Sequence, residues 1–327
     1  MTKKLRFSAN INTFNAGADR YVLSGYGPRY NTDELIKMAT QIEDLSGVEL
    51  VGMWHVNDKN VGQIKSQVAN AGLEVTCVTP DIWASSKWGK GSFASNDPQV
   101  RLDAIAEVKR SMDWAKQLNC EVIDLWFGQD GYDYPFQGNF TEAWKYIIDG
   151  VIECAEYMPD VKIVLEYKPK EPRNHCYIAT VGKTLLLIDR VNRPNVGAMV
   201  DVGHALEAYE TTAESAALLQ FFGNKLFYMH FNDNWRMWDD DMTVGSVHTI
   251  ETMELLFWLE RVNYTGWYAL DIFPYRENGM VAASESIKWI KGLSKLLDRI
   301  GRERFDTVIA NGDAMAASAL LREALLD

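Results

Sequence analysis

The sequence predicts one closed barrel followed by a C-terminal helical extension, and three observations support this. Short β-prone runs alternate with amphipathic runs, and each kind occurs eight times. The chain has 327 residues, an ordinary length for one large barrel, and 47% of them are hydrophobic, which suffices for a sizeable core. A doubly wound open sheet would need a glycine-rich turn after its first strand, and residues 8–13 offer none. The predicted fold is therefore an α/β protein of the (β/α)8, or TIM barrel, type.

The elements follow from hydrophobic periodicity, taken in chain order. Strands are predicted near residues 5–13, 48–54, 74–79, 121–126, 162–167, 196–201, 226–231 and 267–272. Helices are predicted near residues 32–45, 60–71, 98–118, 140–157, 180–191, 212–222, 249–261 and 281–300. Asp97 before a proline, and Asn139 or Thr141, are predicted to cap helix starts. Gly47 and Gly72 are predicted to stand where helices stop before a strand.

The barrel domain is predicted over residues 1–302, and residues 303–327 form the extension, with a helix at residues 314–326. Such an appendage can pack on a neighbouring subunit as an oligomerisation arm or pack on its own barrel, and the sequence leaves both open. The polar stretch at residues 87–97, after the third strand, is predicted to be a loop over the barrel mouth.

Composition narrows the classes of partner. With 33 basic and 45 acidic residues the net charge is −12, which disfavours DNA or RNA because phosphate neutralisation supplies most of a nucleic-acid binder's affinity. The four cysteines are far apart without a CxxC pair and are predicted to be free: Cys77, Cys120, Cys154 and Cys176. The sequence shows neither a signal-type stretch nor an apolar run of membrane length, so a soluble cytoplasmic protein is expected.

Metal-competent side chains end the last four predicted strands, where a barrel places its active site. They are Glu166, Asp201, His230 and Asp271. Any one acid alone would more often cap the following helix, and a single histidine would more often be a core residue. Their occurrence on four successive strands predicts that they converge, and carboxylates so close would repel without a cation. Mostly oxygen ligation with one imidazole suits Mn²⁺, Mg²⁺ or Co²⁺, of which we expect Mn²⁺.

A second cluster lies near the first. His204 follows Asp201 by three residues, and Asp239 and Asp241 follow the seventh strand. The acidic run alone would be a solvated loop, but with His204, and with Asp201 as a bridge, it can hold a second ion. Two metal ions per subunit would polarise two substrate oxygens at once.

These motifs resemble the xylose isomerase-like barrel superfamily and, within it, the L-rhamnose isomerase branch. The Glu-x-Lys that ends the fifth strand, the acid followed three residues later by histidine, and the His-Phe-Asn-Asp stretch before an Asp-Asp-Asp run all match that branch. The last strand's acid matches as well. The chain is shorter than typical members. Compared with the L-rhamnose isomerase pattern, one extra residue separates His230 from the acidic run. Asp240 is therefore an alternative to Asp239 and Asp241 as a metal ligand.

The resemblance implies roles for the two clusters. Glu166, Asp201, His230 and Asp271 would hold a structural metal, and His204, Asp239 and Asp241, with Asp201, would hold a catalytic metal. Glu166 would also be catalytic, and Lys168 would hydrogen-bond the carbonyl oxygen at the reacting end of a sugar. Members of the family are homo-oligomers, so a tetramer or dimer is expected.

The resemblance in the first half of the chain is looser. His55 and Asp58 have the family's spacing after the second strand, which implies that they open the sugar ring or hold its oxygen. Trp126, followed by Gly128, matches the fourth strand's end. With Trp54 and Trp83, it would supply apolar walls for the substrate; plain core packing is the alternative.

The resemblance implies an aldose–ketose isomerase that shifts a hydride between C1 and C2 of a free monosaccharide. A ketose 3-epimerase is the first alternative, although that group ends its last strand in glutamate rather than in an aspartate such as Asp271. A lyase acting on an oxidised sugar derivative also remains open, and a sugar-binding module ranks last. The five histidines are too few for the trinuclear zinc site of the superfamily's DNA-repair endonuclease.

Overall fold

The computed structural model describes residues 5–171 and 173–326, and in it eight parallel strands close into a barrel in chain order. The strands are β1 (Phe7–Asn10), β2 (Leu45–Val51), β3 (Glu74–Thr79), β4 (Val122–Trp126), β5 (Lys162–Glu166), β6 (Val196–Asp201), β7 (Leu226–Phe231) and β8 (Tyr268–Leu270). β1 pairs with both β2 and β8, which completes the closure. The predicted barrel is confirmed.

Helices surround the barrel at the predicted places. They are α1 (Thr32–Ala39), α2 (Val61–Asn70), α3 (Pro98–Gln117), α4 (Phe140–Tyr157), α5 (Val181–Val191), α6 (Val202–Glu207), α7 (Thr212–Phe221), α8 (Thr249–Arg261), α9 (Gly279–Ile300), α10 (Arg302–Asn311) and α11 (Ala314–Leu326). α6 and α10 lie outside the predicted set. Among the helices of the described residues, none has the length and apolar character needed to cross a bilayer.

The predicted helix caps hold except at Gly47, and the predicted end of the first helix is wrong: α1 ends at Ala39 rather than near residue 45, and β2 already begins at Leu45. Asp97 and Asn139 cap α3 and α4 through their side chains, and Gly72 follows α2 with a φ of +70°. Gly47 does not end a helix, because it lies inside β2. A Cβ atom there would lie 2.4 Å from the Thr76 side chain, so close packing inside the barrel, rather than helix termination, requires this glycine.

The extension packs on its own barrel. Leu320 and Ala324 of α11 form a small buried cluster with Ile300 at the end of α9. Arg261 of α8 forms an ion pair of 2.8 Å with Asp306 of α10. Of the two arrangements that the sequence left open, contact with the parent barrel is present.

Short antiparallel strands connect the loops at the barrel mouth, and they are too short to be predicted from the sequence. Three antiparallel strands form a small sheet: Gly131–Tyr132, Lys170–Glu171 and Asn174–Cys176. The predicted loop at residues 87–97 is anchored by buried Phe93 and by Asp130, which accepts hydrogen bonds from the Ser92 and Ala94 amides at 3.0 and 2.5 Å. The loops around the mouth are thus held by specific contacts.

All four cysteines are free and buried, as predicted. Inside the barrel, side chains from several strands meet in a small apolar cluster that contains Cys77, Val164, Met199, Tyr228, Trp267 and Ala269. The interior is therefore filled, and the open space lies at the strand ends.

Candidate functional site

The four predicted strand-end ligands converge at the barrel mouth. Glu166, Asp201, His230 and Asp271 each offer an atom within 4.8 Å of the others' atoms. His230 Nδ1 lies 3.2 Å from Glu166 Oε1 and 3.7 Å from carboxylate oxygens of both Asp201 and Asp271. The parallel strands carry these residues to one edge of the barrel, which explains the convergence.

A second group shares Asp201 with the first. Asp201, His204 and Asp239 offer ligand atoms within the same 4.8 Å limit, and His204 Nε2 lies 3.1 Å from Asp239 Oδ2. Asp201 also caps α6, since its Oδ1 accepts a hydrogen bond of 2.8 Å from the His204 amide. The capping role and the site role therefore belong to the same carboxylate.

The acidic run turns alternate side chains into the site. Asp239 belongs to the second group, and Asp241 lines the cavity beside it. Asp240 points away and accepts a hydrogen bond of 3.0 Å from the Trp235 amide. Asn232 braces the site, because its Nδ2 donates to Asp201 Oδ2 at 2.9 Å and to Asp241 Oδ1 at 3.3 Å.

The charges of the site are strongly coupled. Despite the opposing effect of burial, the carboxylates of Asp201 and Asp239 raise the pKa of His204 to about 9. Burial raises the pKa of Asp271 to about 7, against the nearby His230. Burial also raises the pKa of Asp201 and, well above its usual range, that of Asp241. Acids crowded in this way are held more easily as carboxylates when a further cation lies among them.

The donor set fits a divalent cation. The groups supply carboxylate oxygens and two imidazoles, the ligands that Mn²⁺ and related ions accept. Among the described residues, buried His204 Nδ1 and Asp239 Oδ1 have no hydrogen-bond partner, which is costly for polar atoms unless something else binds them. The chemistry of the residues and these two atoms both indicate a metal centre.

The predicted tryptophans form one wall of a cavity of about 360 Å³ at the mouth. The ring centroids of Trp54 and Trp83 are 6.0 Å apart, and those of Trp83 and Trp126 are 5.0 Å apart. Lys168 lies between the carboxylates and this wall: its Nζ is 2.7 Å from Asp239 Oδ2 and 5.3 Å from the Trp126 ring centroid. A larger cavity of about 460 Å³ lies at the other end of the barrel, but both metal-competent groups face the smaller one.

His55 and Asp58 are not among the described residues that line this cavity, and their role in opening the sugar ring or holding its oxygen stays a prediction. His55 Nδ1 accepts a hydrogen bond of 2.9 Å from the Val51 amide, and its Nε2 lies 3.1 Å from Asn12 Oδ1. Asn12 lines the cavity, and His55 stands behind it. Asp58 is exposed and accepts a hydrogen bond of 2.7 Å from Trp114 Nε1. The side chains of both residues are held by groups outside the metal-competent clusters.

Two buried acids of the site were missed in the sequence. Glu49 lies 3.1 Å from His230 Nε2, and Asp124 accepts a hydrogen bond of 3.2 Å from the Thr79 hydroxyl and lines the cavity. Each is 1% exposed and stands within an apolar strand. The signal for each in the sequence is an acid inside an otherwise apolar strand, away from the strand ends.

The chain is similar in sequence to sugar isomerases. A family model described as the xylose isomerase-like TIM barrel matches residues 39–293. The xylose isomerase of Thermus thermophilus is 28% identical over 251 residues, which are 75% of this chain and 61% of that enzyme. The chain therefore spans about three fifths of the length of that relative.

Solved structures of sugar epimerases share the fold. A D-tagatose 3-epimerase-like protein is 19% identical with a TM-score of 0.68, over 89% of this chain and 99% of that one. The D-allulose 3-epimerase from Methylomonas sp., in complex with D-allulose, is 15% identical with a TM-score of 0.69, over 89% and 97% of the two chains. At these identities the likeness shows the fold alone.

Proposed function

This chain belongs to the xylose isomerase-like TIM barrel family, and we propose that it is a divalent-metal-dependent isomerase that interconverts the aldose and ketose forms of a free monosaccharide. The single observation that carries this proposal is the second metal-competent group of Asp201, His204 and Asp239 beside the first. Aldose–ketose interconversion changes two adjacent carbons, so charge develops on two neighbouring oxygens. Two cation positions that share one carboxylate suit that reaction better than one.

The residues around the groups support a sugar as substrate. A divalent ion held by the two groups would polarise sugar oxygens and stabilise their developing charge. Lys168, buried and charged, can donate a hydrogen bond to the carbonyl oxygen at the reacting end. Trp54, Trp83 and Trp126 offer flat apolar faces that pack on the C–H faces of a sugar and exclude water. We expect Mn²⁺, with Mg²⁺ or Co²⁺ as alternatives, and two ions per chain.

An unphosphorylated substrate is supported by the charge of the cavity. Among the described residues that line it, Lys168 is the one lysine or arginine, and it already contacts Asp239 and Glu171. Away from the cations that the carboxylates would hold, a phosphate would find no further lysine or arginine among these lining residues to bind it. A neutral monosaccharide needs no such partner.

The test is a panel of free aldoses and ketoses offered to the metal-stripped protein, with and without Mn²⁺. Interconversion of an aldose and a ketose that stops with EDTA supports the proposal. In D₂O, a hydride shift leaves the product without solvent deuterium on carbon, whereas proton abstraction introduces it. Asp239→Asn should abolish turnover, and Asp240→Asn, its outward-facing neighbour, is the matched control.

A ketose 3-epimerase is the second candidate. The structures of epimerase relatives are matched over 97–99% of their length, whereas the xylose isomerase is matched over 61%. Glu166 and Asp271, both in the first group, would then be the acid and base. An epimerase inverts the third carbon of a ketose, so NMR of the product identifies it.

A lyase on an oxidised sugar would release an unsaturated product, and a sugar-binding module would release no product.

A further inference from the structure

A buried network of hydrogen-bonded side chains lies inside the barrel, beneath the metal-competent groups. Glu49 of β2 accepts a hydrogen bond of 2.8 Å from the Tyr228 hydroxyl of β7, which also lies 2.9 Å from the Thr76 hydroxyl of β3. β7 is adjacent to neither β2 nor β3 in the barrel, so these contacts cross its interior. Glu49, Tyr228 and His230 are each at most 3% exposed. These three side chains of the network are therefore shielded from water.

The two ring nitrogens of His230 face opposite ways, one toward the site and one toward this network. Nδ1 faces the site, 3.2 Å from Glu166 Oε1, and Nε2 faces the interior, 3.1 Å from Glu49 Oε2. A carboxylate accepts hydrogen bonds, so Glu49 favours the tautomer that carries its hydrogen on Nε2. The lone pair of Nδ1 is then directed at the other members of the first group.

Both oxygens of Glu49 are engaged, one by Tyr228 and one by His230. Burying a carboxylate is costly, and an apolar side chain of similar size would fill the barrel at lower cost. The presence of Glu49 here therefore indicates a function that requires a hydrogen-bond acceptor beside His230.

We propose that Glu49 is a positioning residue of the metal centre, which holds His230 with Nδ1 toward the cation, and that Tyr228 holds Glu49 in turn. A carboxylate behind a metal-binding histidine fixes its ring orientation and raises its basicity. This inference rests on the cation binding in the proposed function, but not on which sugar reaction follows.

The test is calorimetric titration of Mn²⁺ into metal-stripped wild type, Glu49→Leu and Glu49→Gln. Loss of such a partner lowers metal affinity by about 10- to 100-fold, which we expect for Glu49→Leu. Glu49→Gln should recover part of the affinity, because its amide oxygen can still accept from Nε2. The absorption spectrum of bound Co²⁺ should shift in Glu49→Leu, since the imidazole is free to reorient.

Cys77→Ala is the matched control. Cys77 is buried in the same interior, so its truncation loosens the packing while leaving Mn²⁺ affinity and the Co²⁺ spectrum as in wild type. If Glu49→Leu does not fold, Glu49→Gln and Tyr228→Phe carry the test, and both should bind Mn²⁺ several-fold more weakly.

The outcomes separate this inference from the proposed function. Wild-type affinity in the folded Glu49 variants overturns the positioning role alone. Weakened affinity in those variants, with no sugar turnover by wild type, supports the positioning role and removes the isomerase. A wild type that binds no divalent ion overturns both.

Discussion

Lys168 is a buried ammonium among carboxylates. Although burial opposes it, the charges of Asp239 and Glu171 raise the pKa of Lys168 well above its usual range. The side chain therefore stays charged throughout the neutral range. It is suited to donate hydrogen bonds to a sugar oxygen rather than to act as a base.

Replacing Lys168 with methionine should reduce turnover while the protein still binds metal. The loss of one donor to a charged oxygen corresponds to about 3 kcal/mol, or roughly 100-fold in kcat. Steady-state kinetics and Mn²⁺ calorimetry measure the two effects separately. Lys170→Met is the control, because Lys170 donates to the Met237 carbonyl at 2.8 Å, outside the cavity lining, and should keep its turnover. Loss of metal by the Lys168 variant would contradict the assigned role.

His55 makes the stability of the fold depend on pH. Burial lowers its pKa to about 4, below the ordinary value of 6.5. The unfolded chain then binds the proton more tightly than the folded one, so the contribution of His55 is complete above pH 6.5 and is lost as pH falls toward 4. Between about pH 7 and about pH 5 the loss amounts to about 2 kcal/mol.

His55→Gln tests this dependence, since glutamine does not titrate. Urea unfolding of both proteins at the two pH values gives the difference in unfolding free energy. The variant should lose about 2 kcal/mol less than wild type on acidification. An identical pH dependence of the two proteins would show that His55 is protonated equally in both states.

At the scale of the element, the start of α6 builds the second metal-competent group. Asp201 ends β6 and caps α6, and His204 stands three residues later. Gly203 between them allows close approach: a Cβ atom there would lie 2.9 Å from Asn232 Oδ1 and 3.0 Å from Asp239 Oδ1. One capped turn thus orders Asp201 and His204 and leaves room for Asp239.

Gly203→Ala should displace Asp239 and Asn232, and thereby weaken the second of two Mn²⁺ binding steps in calorimetry. Gly182→Ala is a matched control, because Gly182 is likewise the second residue of a helix, α5, and a Cβ there meets nothing within 4 Å. The control should keep both binding steps and gain about 0.5–1 kcal/mol of stability from helix propensity. Two unchanged binding steps in Gly203→Ala would show that the second group needs no such clearance.

At the scale of the whole molecule, the folded barrel brings together at its mouth acidic side chains from strands that are far apart in the sequence. A cation that binds only the folded chain stabilises it by mass action, by about 2.7 kcal/mol at 100 times its dissociation constant. The melting temperature of the metal-stripped protein should therefore rise with added Mn²⁺ and fall again with EDTA. Glu166→Gln should reduce this rise and abolish turnover, while Asp240→Asn should keep both. A melting temperature indifferent to Mn²⁺ would contradict the metal centre.

Periodicity was sufficient for the barrel strands, because each is a short β-prone run between turns. It failed where local pattern and tertiary role differ. Gly47 has the character of a helix stop, yet it lies in β2, and it is a glycine because Ser8 and Thr76 leave no space there for a side chain. The small sheet at the mouth has strands of two and three residues, which are too short for any period.

The sequence by itself determined the chemistry of the site: acids and imidazoles placed where parallel strands end must meet at one edge of a closed barrel. Only the tertiary structure decided which groups touch. Asp58 turned outward to Trp114, Asp239 rather than Asp240 turned inward, and Glu49 met His230 across 181 residues of chain. Contacts across the interior depend on strand stagger and side-chain direction, which are set by closure of the barrel and not by the neighbouring residues in the sequence.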